Sequence, residues 1–88
     1  MMMRLDEKDN VAVVLQDGRK GENVKCGKDH IVLLSDIPFG HKCALFDIRK
    51  GEQIIKYGCP IGYATEDIQR GVLVRENNMK GLRGRGDL

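Results

Sequence analysis

The sequence predicts a single small all-β domain, and three observations support this fold class. The 88-residue chain contains 11 Gly and 2 Pro, and the glycines separate short apolar runs, as expected for short strands joined by tight turns. No segment has the i, i+3, i+4 apolar spacing of an amphipathic helix, so any helix should be a single turn. The third observation is a motif, Asp-Ile-x-x-Gly, that occurs three times.

Seven segments in chain order have the composition of β-strands, with aliphatic and β-branched residues between turn-forming residues. They are residues 11–15, 22–25, 31–34, 41–46, 53–57, 60–64 and 72–74. Single helical turns are expected only near 37–39 or 65–67. The predicted core consists of Val11, Val13, Ile31, Leu33, Ile37, Ile48, Ile55, Ile61, Ile68 and Val74.

The Asp-Ile-x-x-Gly motif occurs at Asp36–Gly40, Asp47–Gly51 and Asp67–Gly71, and a fourth copy at Asp17–Gly21 lacks the Ile. We expect the Ile to fill the core and the Asp to accept backbone N–H bonds where a turn begins. The Gly then supplies the positive φ that ends the turn. The copies are spaced too irregularly for a solenoid, so the motif predicts a compact domain whose chain reverses direction often.

Charge and composition exclude several functions. Fifteen basic residues against 13 acidic ones give a net charge of +2, so neither a strongly basic nucleic-acid surface nor charge-driven disorder is expected. No apolar run approaches the ~20 residues that cross a bilayer, and the N-terminus lacks the apolar core of a signal peptide. We therefore predict a cytoplasmic protein that contacts neither nucleic acid nor membrane.

The three cysteines contain no C-x-x-C pair, which argues against a zinc ribbon. We predict that they are small buried residues in a reducing compartment.

Polar residues able to carry chemistry are densest between Gly40 and Gly62. His41 can act as an acid, a base or a metal ligand, and Lys42 and Lys56 can bind an anion. The chain has only two His, so a complete metal site within it is not expected. From the residues alone, a solvated turn remains the alternative to a site.

Two long segments resemble a known family, the altronate and galactarate dehydratases. Residues Ile37–Gly51 resemble the family stretch I-P-x-G-H-K-x-A-L-x-D-I-x-x-G, and Ile55–Ala64 is similar to I-K-Y-G-x-P-I-G-x-A. Asp9–Val13 also resembles the family's D-N-V-A-V. The resemblance covers about residues 9–79 and implies a SAF domain with a β-clip fold. Residues 1–8 would then be a lead-in, and residues 80–88 a flexible Gly- and Arg-rich tail or linker to a catalytic domain.

The resemblance also implies a function. The chain would be the small subunit or N-terminal domain of a metal-dependent hydro-lyase that dehydrates an altronate-type sugar acid to a 2-keto-3-deoxy acid. Its implied partners are a large catalytic domain or subunit and the sugar acid, with a homo-oligomer left open.

A divalent metal, iron or manganese, would belong to the complete enzyme, with none bound by this domain alone, and the isolated domain is expected to be inactive. The alternatives are a non-catalytic SAF-type module that binds a sugar acid or a protein, and the small subunit of sulfolactate sulfo-lyase.

By the same resemblance, His41 is the catalytic candidate and Lys42, Lys56 and Tyr57 are substrate-binding candidates; Arg75 is a further substrate-binding candidate through its own chemistry and not through the resemblance. The family's last strand often has the sequence V-H-x-H-N. In this chain the corresponding run is Val74–Asn78, in which Arg75 and Asn77 replace the two histidines. An arginine at this place can bind a carboxylate through two parallel hydrogen bonds.

Overall fold

The computed structural model describes residues 1–82, and strands are their only regular secondary structure, which confirms the all-β prediction. The strands are short: β1 Met2–Met3, β2 Val11–Val14, β3 Asn23–Cys26, β4 Asp29–Val32, β5 Lys42–Ala44, β6 Gln53–Lys56, β7 Cys59–Ala64, β8 Leu73–Val74 and β9 Met79–Gly81. Neither of the two places predicted for a helical turn forms one: in 37–39, Ile37 lies in a β-bridge with Gly18, and in 65–67 the chain forms a bend. Within residues 1–82 no helix is long and apolar enough to cross a membrane.

The strands form a four-stranded antiparallel sheet in the order β1-β2-β5-β8, a hairpin β3–β4, and a three-stranded sheet β6-β7-β9. Strands β1 and β9 have no counterpart among the predicted segments. The lead-in 1–8 contains β1, whose Met2 pairs with Val14 and is buried. The boundary at residue 79 falls inside β9, and residues 83–88 of the predicted tail lie outside the described residues.

The four Asp-initiated motifs end in the predicted glycine turns. Their last residues, Gly21, Gly40, Gly51 and Gly71, have φ between +84° and +93°. In each turn the residue after the Gly donates its N–H to the carbonyl three residues earlier, as in a type II turn, which needs positive φ at its third position.

The motif aspartates act between turns and not within their own. Asp17 Oδ1 accepts the Phe39 N–H at 2.8 Å, and Asp36 Oδ1 accepts the Lys20 N–H at 2.8 Å. Each carboxylate thus binds the backbone of the other motif. We call this arrangement a reciprocal Asp pair.

The motifs that begin at Asp47 and Asp67 form a second reciprocal Asp pair. Asp47 Oδ1 accepts the Arg70 N–H at 2.9 Å, and Asp67 Oδ1 accepts the Lys50 N–H at 2.8 Å. The neighbouring Ile48 and Ile68 bridge antiparallel and are both buried. The expectation that the Ile fills the core is confirmed for these motifs.

The chain is built from two similar halves. The sequence D-x-R-K-G-E begins at Asp17 and again at Asp47, and each copy leads into a hairpin, β3–β4 or β6–β7. In the first half Gly18 takes the place of Ile48, because a Cβ at Gly18 would lie 2.5 Å from Leu33 Cδ1. The Leu33 side chain already fills that part of the core.

Most of the predicted core is buried, in two clusters. Seven predicted positions are buried: Val11, Ile31, Leu33, Ile37, Ile48, Ile68 and Val74. Val13, Ile55 and Ile61 are only half-buried, and Ile54 is fully buried instead of Ile55. Successive strand residues face opposite sides, so only one of the two isoleucines can point inward. The β-bulge between Ile54 and Ile55 disturbs the pairing at this step.

Candidate functional site

The structure brings all five predicted site residues to one open cleft of about 790 Å³. His41 and Lys42 come from the beginning of β5, Lys56 and Tyr57 from the β6–β7 hairpin, and Arg75 from the residue after β8. Because β5 and β8 are antiparallel, the start of one strand lies beside the end of the other. The sheet therefore places residues that are far apart in sequence around one opening.

Lys42 is the most enclosed cation of the cleft. It pairs with Val13 on one side and Val74 on the other, and it is half-buried. Burial lowers the pKa of Lys42, the positive charge of Lys56 lowers it further, and Glu76 opposes the shift. A bound anion would lessen the repulsion between the two lysines, so the cleft is suited to negative ligands.

His41 lies at the exposed edge of the cleft, directly after Gly40. Its backbone N–H donates to Pro38 O at 3.0 Å and closes the turn that carries it. Its Nδ1 is 3.4 Å from Phe39 O, a long contact. The imidazole is thus accessible and can exchange a proton with a ligand in the cleft.

The β6–β7 hairpin is held by two residues that the sequence alone does not mark as part of the site. Asp9 is 1% exposed, and its Oδ1 accepts the Gly58 N–H at 2.8 Å. Asn10 Oδ1 accepts the Ile55 N–H at 2.8 Å, and its amide donates to Gln53 O at 2.9 Å. The sequence signal for this role is the Asp-Asn pair directly before β2, which is also part of the family motif D-N-V-A-V.

Lys56 and Tyr57 contact each other at the tip of this hairpin. The Lys56 Nζ lies 5.1 Å from the centroid of the Tyr57 ring, within range of a cation–π interaction. Tyr57 is 64% exposed, so much of its ring remains available to a ligand or a partner.

Arg75 is fixed by a buried amide that sequence reasoning also misses. Asn78 is 3% exposed; its Oδ1 accepts the Arg75 N–H at 2.9 Å, and its Nδ2 donates to Leu73 O at 2.8 Å. The Arg75 guanidinium pairs with Glu76 through one nitrogen, Nη2, at 3.1 Å. The backbone N–H of Glu76 and the Arg75 side chain lower the pKa of the Glu76 carboxyl.

The cleft suits an anion better than a metal ion. Lys42, Lys56 and Arg75 face a single carboxylate, Glu76. Within residues 1–82 no three of the side chains that usually bind metals come together. His30 lies on β4, where its Nδ1 is 3.2 Å from Asn23 Oδ1, and it is not among the residues lining this cleft.

A second groove, of about 800 Å³, lies against the β3–β4 hairpin and contains none of the predicted site residues. Exposed apolar side chains line it, including Met1, Met3 and Phe46, and Arg4 lies 5.6 Å from the centroid of the Phe46 ring. The groove is also lined by four cations, Arg4, Lys25, Lys28 and Arg70, against one carboxylate, Asp29.

The cysteines are all free, and only two of them are buried. Cys26 and Cys43 lie in the core, whereas Cys59 is exposed where β7 begins. The prediction that all three are buried is therefore wrong for Cys59. Its strand starts directly after the tip of the hairpin, where the side chain meets solvent.

The fold and the cleft together define a small β-module with a cationic cleft built around a half-buried lysine. The model of the family "Altronate/galactarate dehydratase SAF domain" matches residues 1–82. The chain belongs to this family, which confirms the resemblance seen in its motifs.

Curated relatives agree with this assignment. The chain is 49% identical over 72 residues to altronate dehydratase of Escherichia coli (strain K12), which is 82% of this chain and 14% of that protein. It is 38% identical over 78 residues to altronate dehydratase of Bacillus subtilis (strain 168), 89% of this chain and 16% of that protein. The chain therefore spans only a small part of the length of these dehydratases.

A further relative is a subunit in its own right. The chain is 40% identical over 47 residues to (2R)-sulfolactate sulfo-lyase subunit alpha of Chromohalobacter salexigens, which is 53% of this chain and 50% of that protein. Regions similar to this domain thus occur both within longer dehydratases and in a separate lyase subunit.

Proposed function

We propose that this chain is the small subunit or N-terminal domain of a metal-dependent hydro-lyase that converts an altronate-type sugar acid to a 2-keto-3-deoxy acid. Family membership supports the class of enzyme. The observation that carries the proposal is the convergence of His41, Lys42, Lys56, Tyr57 and Arg75 in one cleft. The free cysteines favour a cytoplasmic location.

In this proposal Lys42 and Arg75 bind the carboxylate of the sugar acid. Removing the proton next to a carboxylate creates an enediolate with two negative charges, and fixed cations stabilise that charge as it develops. Arg75 uses one nitrogen for Glu76, and a guanidinium has four further N–H donors for a carboxylate. Lys42 contributes a charge that is only partly hydrated.

His41 is the candidate for the general acid that protonates the departing 3-hydroxyl group. A positioned acid of this kind contributes about 10²–10⁴-fold to a rate. The exposed imidazole can approach a substrate held between this module and a second domain that closes over the cleft.

The large catalytic domain or subunit would supply the remaining groups. The described residues offer no set of metal ligands, so the iron or manganese ion belongs in this proposal to the larger part. That part also supplies the base.

A second candidate is the small subunit of a sulfolactate sulfo-lyase. The similarity to a sulfo-lyase subunit alpha favours it, and the cations of the cleft could bind a sulfonate as well as a carboxylate. Product formation from each acid separates the two candidates.

The test is formation of a 2-keto-3-deoxy acid from altronate, with iron or manganese added, by the chain alone and by the chain assembled with the large part. We expect turnover only in the assembled enzyme, since in this proposal the metal ion and the base belong to the large part. His41→Ala should lower kcat by about 10²-fold or more, and Lys42→Ala or Arg75→Ala should raise KM about tenfold and lower kcat as well. His30→Ala, an exposed histidine outside the cleft, is the matched control.

Two results would contradict the proposal. Turnover by the chain alone would show that it contains a complete site. Unchanged kinetics for all three cleft variants in an active assembled enzyme would show that the module only binds or assembles.

A further inference from the structure

Tyr57 has a backbone conformation that tyrosine rarely adopts. Its φ is +57°, and no other non-glycine residue within 1–82 has a positive φ. Lys56 pairs with Cys59, so Tyr57 and Gly58 form a two-residue hairpin turn, and both have positive φ, as a type I′ turn requires. Asn-Gly is the favoured sequence for such a turn, and a bulky residue at its first position is an outlier.

The other half of the chain has a less strained residue at the same place. The first turn residue of the β3–β4 hairpin is Gly27, with φ +62°, and a Cβ added there would meet nothing within 4 Å. The β3–β4 hairpin therefore forms with no side chain at this point. Tyr57 is also 64% exposed, so packing does not account for it.

Two aspartates contact the turn that carries Tyr57. The buried Asp9 accepts the Gly58 N–H, and Asp6 lies so close to Gly58 that a Cβ there would be 3.0 Å from Asp6 Oδ2. These contacts hold the positive-φ conformation, and backbone strain kept in place by its surroundings is typical of functional sites.

We propose that Tyr57 is a specificity-determining residue whose ring contacts the carbon chain of a polyhydroxy acid while Lys42 and Arg75 bind the carboxylate. The inference rests on the proposed function. Aromatic faces are electron-rich and attract polarised C–H groups, and tyrosine offers a rigid contact surface at a low entropic cost. Such a platform favours hexonic and hexaric acids over three-carbon acids, whose short chains offer the ring few C–H groups.

The test uses Tyr57→Asn, which keeps the turn chemistry and removes the ring, and Tyr57→Phe, which keeps the ring. In the assembled enzyme, Tyr57→Asn should lower kcat/KM for altronate about tenfold, mainly through KM. Its Tm should equal or exceed that of the parent, because Asn tolerates positive φ. Tyr57→Phe should stay within about twofold of the parent. Gly27→Ala is the matched control: it should lower Tm and leave the kinetics unchanged.

A binding measurement separates failure of this inference from failure of the proposed function. Calorimetry with galactarate on the assembled protein needs no turnover. Binding that is weaker for Tyr57→Asn, in a protein without dehydratase activity, would support the inference and refute the proposed function. Equal binding and equal kcat/KM for parent and Tyr57→Asn would overturn the inference.

The remaining outcomes also decide the question. An equal loss in Tyr57→Phe would assign the contact to the hydroxyl and overturn the role of the ring. Loss of the large part from purified Tyr57→Asn complexes would make Tyr57 an assembly contact and overturn the inference. Neither binding nor turnover in the parent would overturn both the inference and the proposed function.

Discussion

Replacing Gly71 with Ala should damage the fold far more than replacing Gly51, although both glycines end the same motif. Their φ angles are nearly equal, +93° and +90°. An added Cβ at Gly51 meets nothing within 4 Å, whereas at Gly71 it would lie 2.3 Å from Val32 O. The pair of variants therefore separates backbone strain from a steric clash.

The expected magnitudes follow from these distances. A non-glycine residue forced to positive φ costs about 1–2 kcal/mol, and both variants lose this amount. At Gly71 the chain around Val32 must also move, and the Leu34 N–H that donates to Gly71 O at 2.9 Å must move with it. Overpacking of this kind adds about 1–3 kcal/mol.

Thermal melts followed by circular dichroism measure both effects. In a domain of this size 1 kcal/mol corresponds to roughly 4–8 °C in Tm, so Gly71→Ala should melt at least about 4 °C below Gly51→Ala. Urea denaturation should give the same order of stability. Equal melting temperatures would refute the reasoning, because they would mean that the Val32 segment yields freely.

Three further predictions concern the charged and reactive side chains. Asp47→Ala and Asp67→Ala should each lower the free energy of unfolding by about 1 kcal/mol. A double-mutant cycle in urea should show coupling, because both carboxylates act on one pair of turns. Additive losses would argue against a reciprocal pair. Because its pKa is lowered on folding, Lys42 loses its proton earlier in the folded chain than in the unfolded one. Stability should therefore rise with pH from that lowered pKa up to the ordinary value of 10.5. Lys42→Met should melt higher at neutral pH and should lack this rise. A difference in Tm between parent and variant that stays constant across pH would contradict the prediction. Only Cys59 should react with a thiol reagent at about pH 8 in the native chain, since Cys26 and Cys43 are buried and burial raises the pKa of Cys43 to about 12. All three thiols should react in guanidinium. Fast modification of more than one native thiol would show that Cys26 or Cys43 is accessible.

Local features of the fold could be predicted from the sequence, and pairings at a distance could not. The positive φ at the end of each motif could be predicted from its glycine, because few other residues accept that conformation. The partner of Asp47 could not be inferred, because the N–H it accepts belongs to Arg70, 23 residues further on. The prediction that Ile55 faces the core is wrong because Ile54 takes that place; both are β-branched, and only the register with β7 distinguishes them.

The candidate site shows the same division. His41 and Lys42 could be found because their type and their motif suggest chemistry. Asp9 and Asn78 could not be found, because each acts from the interior by accepting a hydrogen bond from a backbone N–H group. A buried polar residue that organises a site leaves little signal in a single sequence, since its hydrogen-bond partner is a backbone group, which nearly every residue has.

The reciprocal Asp pairs also bear on the order in which the chain folds. Their hydrogen bonds join residues 16 to 23 positions apart, whereas Val11 of β2 pairs with Ala44 of β5, 33 positions away. Closing the shorter loop costs less entropy. One pair lies in each half, whereas the sheet β1-β2-β5-β8 needs strands from both. We therefore expect each half to close its own loop early and the pairing of β2 with β5 to come later, so that the two halves fold as partly independent units before they join.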